Sequence, residues 1–141
     1  MRTRSTATLL LQAFQCLVDE VVAALHEAGY SDIRSSHSRV FEHLPAQGAR
    51  VARMAGEAQM TQQSMTELVE YLERRGYVER LPDPSDGRAK LVRLTRSGKK
   101  LSAKGDEIMG RIDADWGARL GKRRLQEMRS ALGDLLDAYS R

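Results

Sequence analysis

A single cysteine, Cys16, among 141 residues excludes an internal disulfide and leaves no cysteine pair for a structural zinc site. Only three prolines occur and aromatic residues make up 5%, so long helices meet few interruptions and a mainly helical chain is expected. No glycine-rich phosphate loop is present, and no nucleophile can be matched to a base. The expectation is therefore no enzyme, no cofactor and no metal. No apolar run reaches the roughly 18 residues of a membrane span. After the basic start at Arg2 and Arg4, residues Gln12, Gln15, Asp19 and Glu20 break the apolar stretch too early for a signal peptide. A cytoplasmic protein without a membrane partner is expected.

Apolar residues at 41% and charged residues at 30% are the mixture of a folded globular chain. The length suits one domain. The formal net charge of +4 is concentrated: residues 74–96 hold seven Arg or Lys against three Asp or Glu, leaving the rest near neutral. A basic segment of this kind suits a polyanion, although a solvated charged surface has the same composition.

Residues 6–28 carry Leu10, Phe14, Leu17, Val18, Val21, Val22 and Leu25, the rhythm of a helix packed along a partner helix, and Gly29 stops it. A second helix is expected from Ser36 to Leu44, ahead of Pro45, and a third from Gly48 and Ala49 to about Glu57. The fourth is the clearest. Thr61 can cap it, Met65, Leu68, Val69 and Leu72 form one stripe, Arg74 and Arg75 suit the negative end of the helix dipole, and Gly76 ends it. Tyr77–Leu81 reads as a strand, Pro82–Gly87 as a polar turn and Lys90–Leu94 as the returning strand. Thr95 can cap a fifth helix bearing Leu101, Ile108, Ile112, Trp116 and Leu120. After Gly121 a last helix carries Leu125, Met128, Leu132, Leu135, Leu136 and Tyr139, near heptad spacing.

Three helices followed by a two-stranded hairpin make a winged helix-turn-helix, with one helix in the major groove and the hairpin tip on the flanking backbone or minor groove. The expected class is mainly α: residues 1–141 as a single domain, with 33–95 as the DNA-binding part and 5–30 and 96–141 as helical dimerisation parts. The stretch Thr61-Gln62-Gln63-Ser64-Met65-Thr66-Glu67-Leu68-Val69-Glu70-Tyr71-Leu72-Glu73-Arg74-Arg75-Gly76-Tyr77-Val78-Glu79-Arg80, with Pro82-Asp83-Pro84-Ser85-Asp86-Gly87-Arg88-Ala89 and Leu91-Val92-Arg93-Leu94-Thr95, resembles the multiple-antibiotic-resistance-regulator (MarR) family. The resemblance extends more loosely over the whole chain. It implies a homodimer, a palindromic operator and, often, a small-molecule ligand that releases DNA. Gln59 stands where the family usually has a glycine before the recognition helix, and Glu67 where a basic or neutral residue is common.

The polar side of the fourth helix offers Gln62, Gln63, Ser64, Thr66 and Glu67. Gln can pair with adenine, Thr can meet a thymine methyl and Glu can accept from cytosine. Near the hairpin tip, Arg88 can enter a narrow minor groove. Asp86 can hold its guanidinium by a charge-assisted hydrogen bond; alone, such a pair is more often a plain surface contact, and the resemblance implies Arg88 as the wing contact with Asp86 as its support. Arg80, Lys90 and Arg93 are expected on phosphates or the strand surface. His26, His37 and His43 read most simply as surface or locally bonded histidines. Cys16 reads as a buried thiol; the resemblance also offers peroxide sensing through a first-helix cysteine, against which stands Glu20 one turn on, since a carboxylate disfavours a thiolate. A ligand, if one binds, is expected to be a small aromatic anion held by His26, Arg34, His37, Arg39 and Trp116, although these residues could equally cement a domain junction. The function expected is a sequence-specific, dimeric transcriptional regulator, on balance a repressor. The alternative is a nonspecific DNA-binding architectural or interaction protein, separated from it by specificity ratio.

Overall fold

Residues 3–141 are described by a computed structural model. Among them are six α-helices and a two-stranded antiparallel sheet. Helix α1 spans Thr6–Glu27, capped by the Ser5 hydroxyl, which accepts from the Thr8 N–H at 3.1 Å. A 3₁₀ turn at Ser35–His37 leads into the short α2, Ser38–Glu42, so the expected second helix begins as a tighter turn and ends two residues early. Helix α3 spans Val51–Glu57. It starts later than expected because Ala49 is taken into a β-bridge with Val92, N–H to C=O both ways at 3.0 and 2.8 Å.

Helix α4, Gln62–Arg74, forms where the apolar stripe and its cap predict it. The Thr61 hydroxyl accepts from the Ser64 N–H at 3.0 Å, Met65, Val69 and Leu72 are buried, and Gly76 turns the chain out with φ of 80°. The turn between α3 and α4 places Gln59 at φ 54°, the one non-glycine with positive φ among the described residues. A helix C-terminus there needs the left-handed region, and this chain meets it without glycine.

Strands β1, Val78–Asp83, and β2, Asp86–Leu94, pair in register from Val78 with Leu94 to Pro82 with Lys90. Pairing then jumps to Asp83 with Asp86, so Gly87, Arg88 and Ala89 bulge outward. The ribbon is longer than the sequence suggested, because an edge strand tolerates Pro82 and the bulge absorbs the turn residues.

The chain divides into two compact units, one up to Gly105 and one at Asp106–Arg141. In the first, Val40, Met54, Met65, Val69, Leu72, Val78 and Val92 have almost no exposed surface. Each fully buried side chain of this kind contributes roughly 1.5–3 kcal/mol. Helix α5, Arg96–Leu120, starts in this unit with Thr95 as cap, whose hydroxyl accepts from the Gly98 N–H at 3.0 Å. In the second unit Gly121 joins α5 to α6, Lys122–Tyr139. Arg129 meets Asp113 at 3.0 Å across this pair.

Two expectations are corrected. Cys16 is exposed rather than buried, because α1 turns few side chains inward: only Val18 and Leu25 are buried on it. Helix α1 is also long and apolar enough, by length and composition, to cross a membrane, since its polar residues are spaced too thinly to lower the average.

Candidate nucleic-acid interface

Helix α4 keeps its apolar stripe inside and leaves Gln62, Gln63, Ser64 and Glu67 exposed, with Thr66 half-buried. The first turns of a recognition helix are where base edges are met. Ser64 is partly committed to the cap, its Oγ accepting from the Thr61 hydroxyl at 2.8 Å. Gln62, Gln63 and Glu67 stay available for readout.

In the wing, Gly87, Arg88 and Lys90 are exposed. The Arg88 guanidinium has no carboxylate partner among the described residues. Asp86 supports Arg88 differently from the expectation: its Oδ1 accepts from the Arg88 backbone N–H at 3.1 Å, the two-residue reach of an Asx turn. Asp86 therefore shapes the bulge and leaves the guanidinium to reach outward.

Arg80 and Arg93, expected on phosphates or the strand surface, both face carboxylates. The Arg93 guanidinium lies 3.0 Å from Glu79, its cross-strand partner. Arg80 turns toward α4, its Nε 3.6 Å from Glu73 and its Nη2 3.9 Å from Glu70, and both nitrogens are sealed from solvent without a hydrogen bond. Opposite charges facing across a strand pair or on a packed helix attract, and both arginines lie against the protein's own carboxylates.

One pair was not legible beforehand. Arg50, just ahead of α3, donates from Nε to Asp83 Oδ2 at 2.7 Å. The other carboxylate oxygen of Asp83 accepts from the Ser85 N–H at 2.9 Å and the Ser85 hydroxyl at 2.8 Å. The two Ser85 bonds, then Arg50, pull the Asp83 pKa down to about 2. Asp83 thus ties the wing to the entry of α3. Only its place in a turn was visible in the sequence, because its partner lies 33 residues away.

The residues expected to hold a ligand are spread out. His26 Nε2 lies 2.6 Å from the Ile33 carbonyl, which only accepts, so that nitrogen carries the proton. His37 is buried, stacks on Tyr71 with ring centres 4.5 Å apart, and accepts at Nδ1 from the Arg34 N–H at 2.9 Å. Burial first, then the Arg34 charge, lowers its pKa. Arg39 donates to the Ala58 carbonyl at 3.1 Å. The structure thus brings together Arg34 and His37, and puts His26 beside their loop. Trp116 is half-buried in the second unit, where a cleft of about 340 Å³ is lined by Asp113, Gly117, Lys122, Leu125 and Arg129 among others. No cluster of three His, Cys, Asp or Glu suited to a metal exists among the described residues.

The MarR family model matches residues 31–89. No curated protein matches the chain. Solved structures similar to it include the transcriptional regulator PA4135, at 26% identity and TM-score 0.76 over 96% of this chain and 98% of that one. The reduced form of MarR from E. coli is similar at 20% identity and TM-score 0.81, over 96% and 99% of the two chains. A mutant MepR from S. aureus, bound to an oligodeoxyribonucleotide, is similar at 21% identity and TM-score 0.61, over 97% and 99%. The segment that resembles the MarR family model, residues 31–89, holds α4, its Thr61 cap and the tip of the wing, and over 96% of its length the chain shares the winged-helix fold of these solved structures.

Proposed function

We propose that the protein is a sequence-specific transcriptional regulator that binds a palindromic operator as a homodimer in the cytoplasm, acting as a repressor. The observation that carries this reading is the division of labour on α4: its apolar stripe is spent on the core while Gln62, Gln63 and Glu67 stay exposed beside the cap. A helix of this design, paired with a ribbon that leaves Arg88 unpartnered, suits base readout plus minor-groove contact. The oligonucleotide-bound MepR relative supports the DNA partner.

Homodimerisation is supported by apolar surface that a monomer would leave in water: Leu9, Leu10, Leu11 and Phe14 on α1, and Leu135, Leu136 and Tyr139 on α6. The same surface gives α1 its membrane-like composition. A small aromatic anion that releases the DNA completes the reading. Arg34, exposed beside buried His37, offers the charge, and any such ligand acts by favouring a helix spacing that DNA cannot match.

Selection of bound sites from random DNA tests the function. A dyad-symmetric motif, bound about a thousandfold above random sequence, is expected. Binding without a motif would instead establish the nonspecific architectural reading.

A further inference from the structure

The loop between α1 and the 3₁₀ turn is bound on two sides. On one side it is held to α1: the Tyr30 N–H donates to the Leu25 carbonyl at 2.9 Å, the Gly29 N–H to the His26 carbonyl at 3.1 Å, and His26 Nε2 to the Ile33 carbonyl at 2.6 Å. On the other side Asp32 collects two phenols. Its backbone carbonyl accepts from the Tyr71 hydroxyl at 2.7 Å, and both carboxylate oxygens lie 3.0 Å from the Tyr77 hydroxyl. Tyr71 belongs to α4, on whose ring His37 stacks. Tyr77 is buried at the root of the wing, and its carbonyl accepts from the Thr95 N–H at 3.0 Å.

These bonds join segments 39 and 45 residues apart, and they converge on one residue. A core needs apolar contact for stability and has no need of two phenol hydroxyls donating to one residue of a half-buried loop. Directional bonds do fix an angle. The angle in question is between α1 and α4, since the loop moves with α1 on one side and is anchored to α4 and the wing root on the other.

We propose that Asp32 is a positioning residue that couples α1 to the recognition helix and thereby sets the half-site spacing the protein accepts. The inference rests on the dimeric DNA-binding reading. If α1 lies in the dimer contact, its orientation relative to α4 decides how far apart two copies of α4 stand. One base pair moves a half-site by about 3.4 Å and turns it by about 35°, so a stiff joint discriminates between adjacent spacings and a loose one does not.

The test uses the full chain and the half-site obtained from the wild-type selection, with the spacer between two half-sites varied one base pair at a time. Tyr71→Phe with Tyr77→Phe keeps both rings, the stacking on His37 and the buried apolar area, and removes only the hydroxyls; Asp32→Ala is the second variant, and thermal melting confirms that both fold. Wild type is expected to prefer its best spacing over the neighbouring ones by about tenfold, the scale of a modest coupling energy. Both variants are expected to narrow that preference to about threefold or less while keeping the base preference within each half-site. Variants that retain the full spacing preference, or that lose base preference in step with it, overturn the role of Asp32 and leave the regulator reading intact. A wild type with no spacing preference overturns the dimeric regulator reading, and the joint with it.

Discussion

Buried His37 makes the fold sensitive to acid. Its Nδ1 accepts from the Arg34 N–H, so protonation would both charge a buried ring and remove an acceptor. Burial, then the Arg34 charge, holds its folded pKa below 6.5. A lowered histidine pKa means that the unfolded chain binds the proton more readily. Stability is therefore full above about pH 6.5 and is lost as pH falls through that value toward the folded pKa, with a limiting slope of about 1.4 kcal/mol per pH unit. Urea unfolding at pH 7.5, 6.0 and 5.0 should show the decline, and His37→Gln should flatten it. At Gln59 the strain is in the backbone. A side chain at φ 54° costs about 1 kcal/mol that glycine does not, so Gln59→Gly should raise the melting midpoint. An unchanged or lower midpoint would count against strain at this turn. Arg88 sits at the other extreme, exposed and structurally idle. Arg88→Ala should leave melting unchanged and weaken operator binding by about 1–3 kcal/mol; equal affinity at physiological salt would remove the wing contact.

At the scale of elements, the wing depends on how closely its root approaches α5. A Cβ built on Gly98 would lie 1.9 Å from the Tyr77 carbonyl oxygen, and that oxygen already accepts from the Thr95 N–H. The two nearest atoms, the Tyr77 carbonyl oxygen and carbon, are backbone, so backbone must shift. Gly98→Ala should destabilise by about 2 kcal/mol or more, read by calorimetry, and hydrogen exchange should rise at Thr95 and along β1. A melt equal to wild type would count against a close approach of α5 to the wing root. The ribbon itself is braced by the Glu79–Arg93 pair and, at its far end, by Asp83 on Arg50. Asp83 keeps its charge until pH falls toward about 2, so this brace stays in place far below neutral pH.

For the whole molecule, the deciding feature is apolar surface without an intrachain cover. Helix α6 has no buried residue, and Tyr139 and Leu136 are 86% and 67% exposed. On α1, Leu11 is 57% exposed. Faces of this extent on two helices signal an interface. Light scattering at micromolar concentration should give about twice the 15.8 kDa chain mass, with Phe14, Leu17, Val21, Leu132, Leu136 and Tyr139 contributing to the contact. A monomer at that concentration would overturn the dimer and require another partner for these faces.

Whatever depends on neighbours in the chain was determined by sequence alone. Thr61 caps α4 because its hydroxyl is three residues from the N–H it serves, and Thr95 caps α5 by the same reach. Gly76 ends a helix by its own dihedral freedom, whereas the left-handed turn at Gln59 came only from the structure. The period of Met65, Val69 and Leu72 separates the core side of α4 from the reading side without a contact being known. Tertiary structure alone decided the partners of charges and hydroxyls. Arg80 and Arg93 could be read as phosphate or strand-surface residues, and only the fold shows that they face Glu70, Glu73 and Glu79. Asp86 looked like a guanidinium partner and bonds a backbone N–H. Asp83 looked like an ordinary turn residue and Asp32 drew no expectation, yet each organises a contact more than 30 residues away. The physical reason is range. Caps, stripes and turns act within one or two helical turns, where spacing in the chain is spacing in space. An ion pair or buried hydrogen bond joins whatever the packed core has already brought within about 3 Å, and that proximity is not written in the order of the residues.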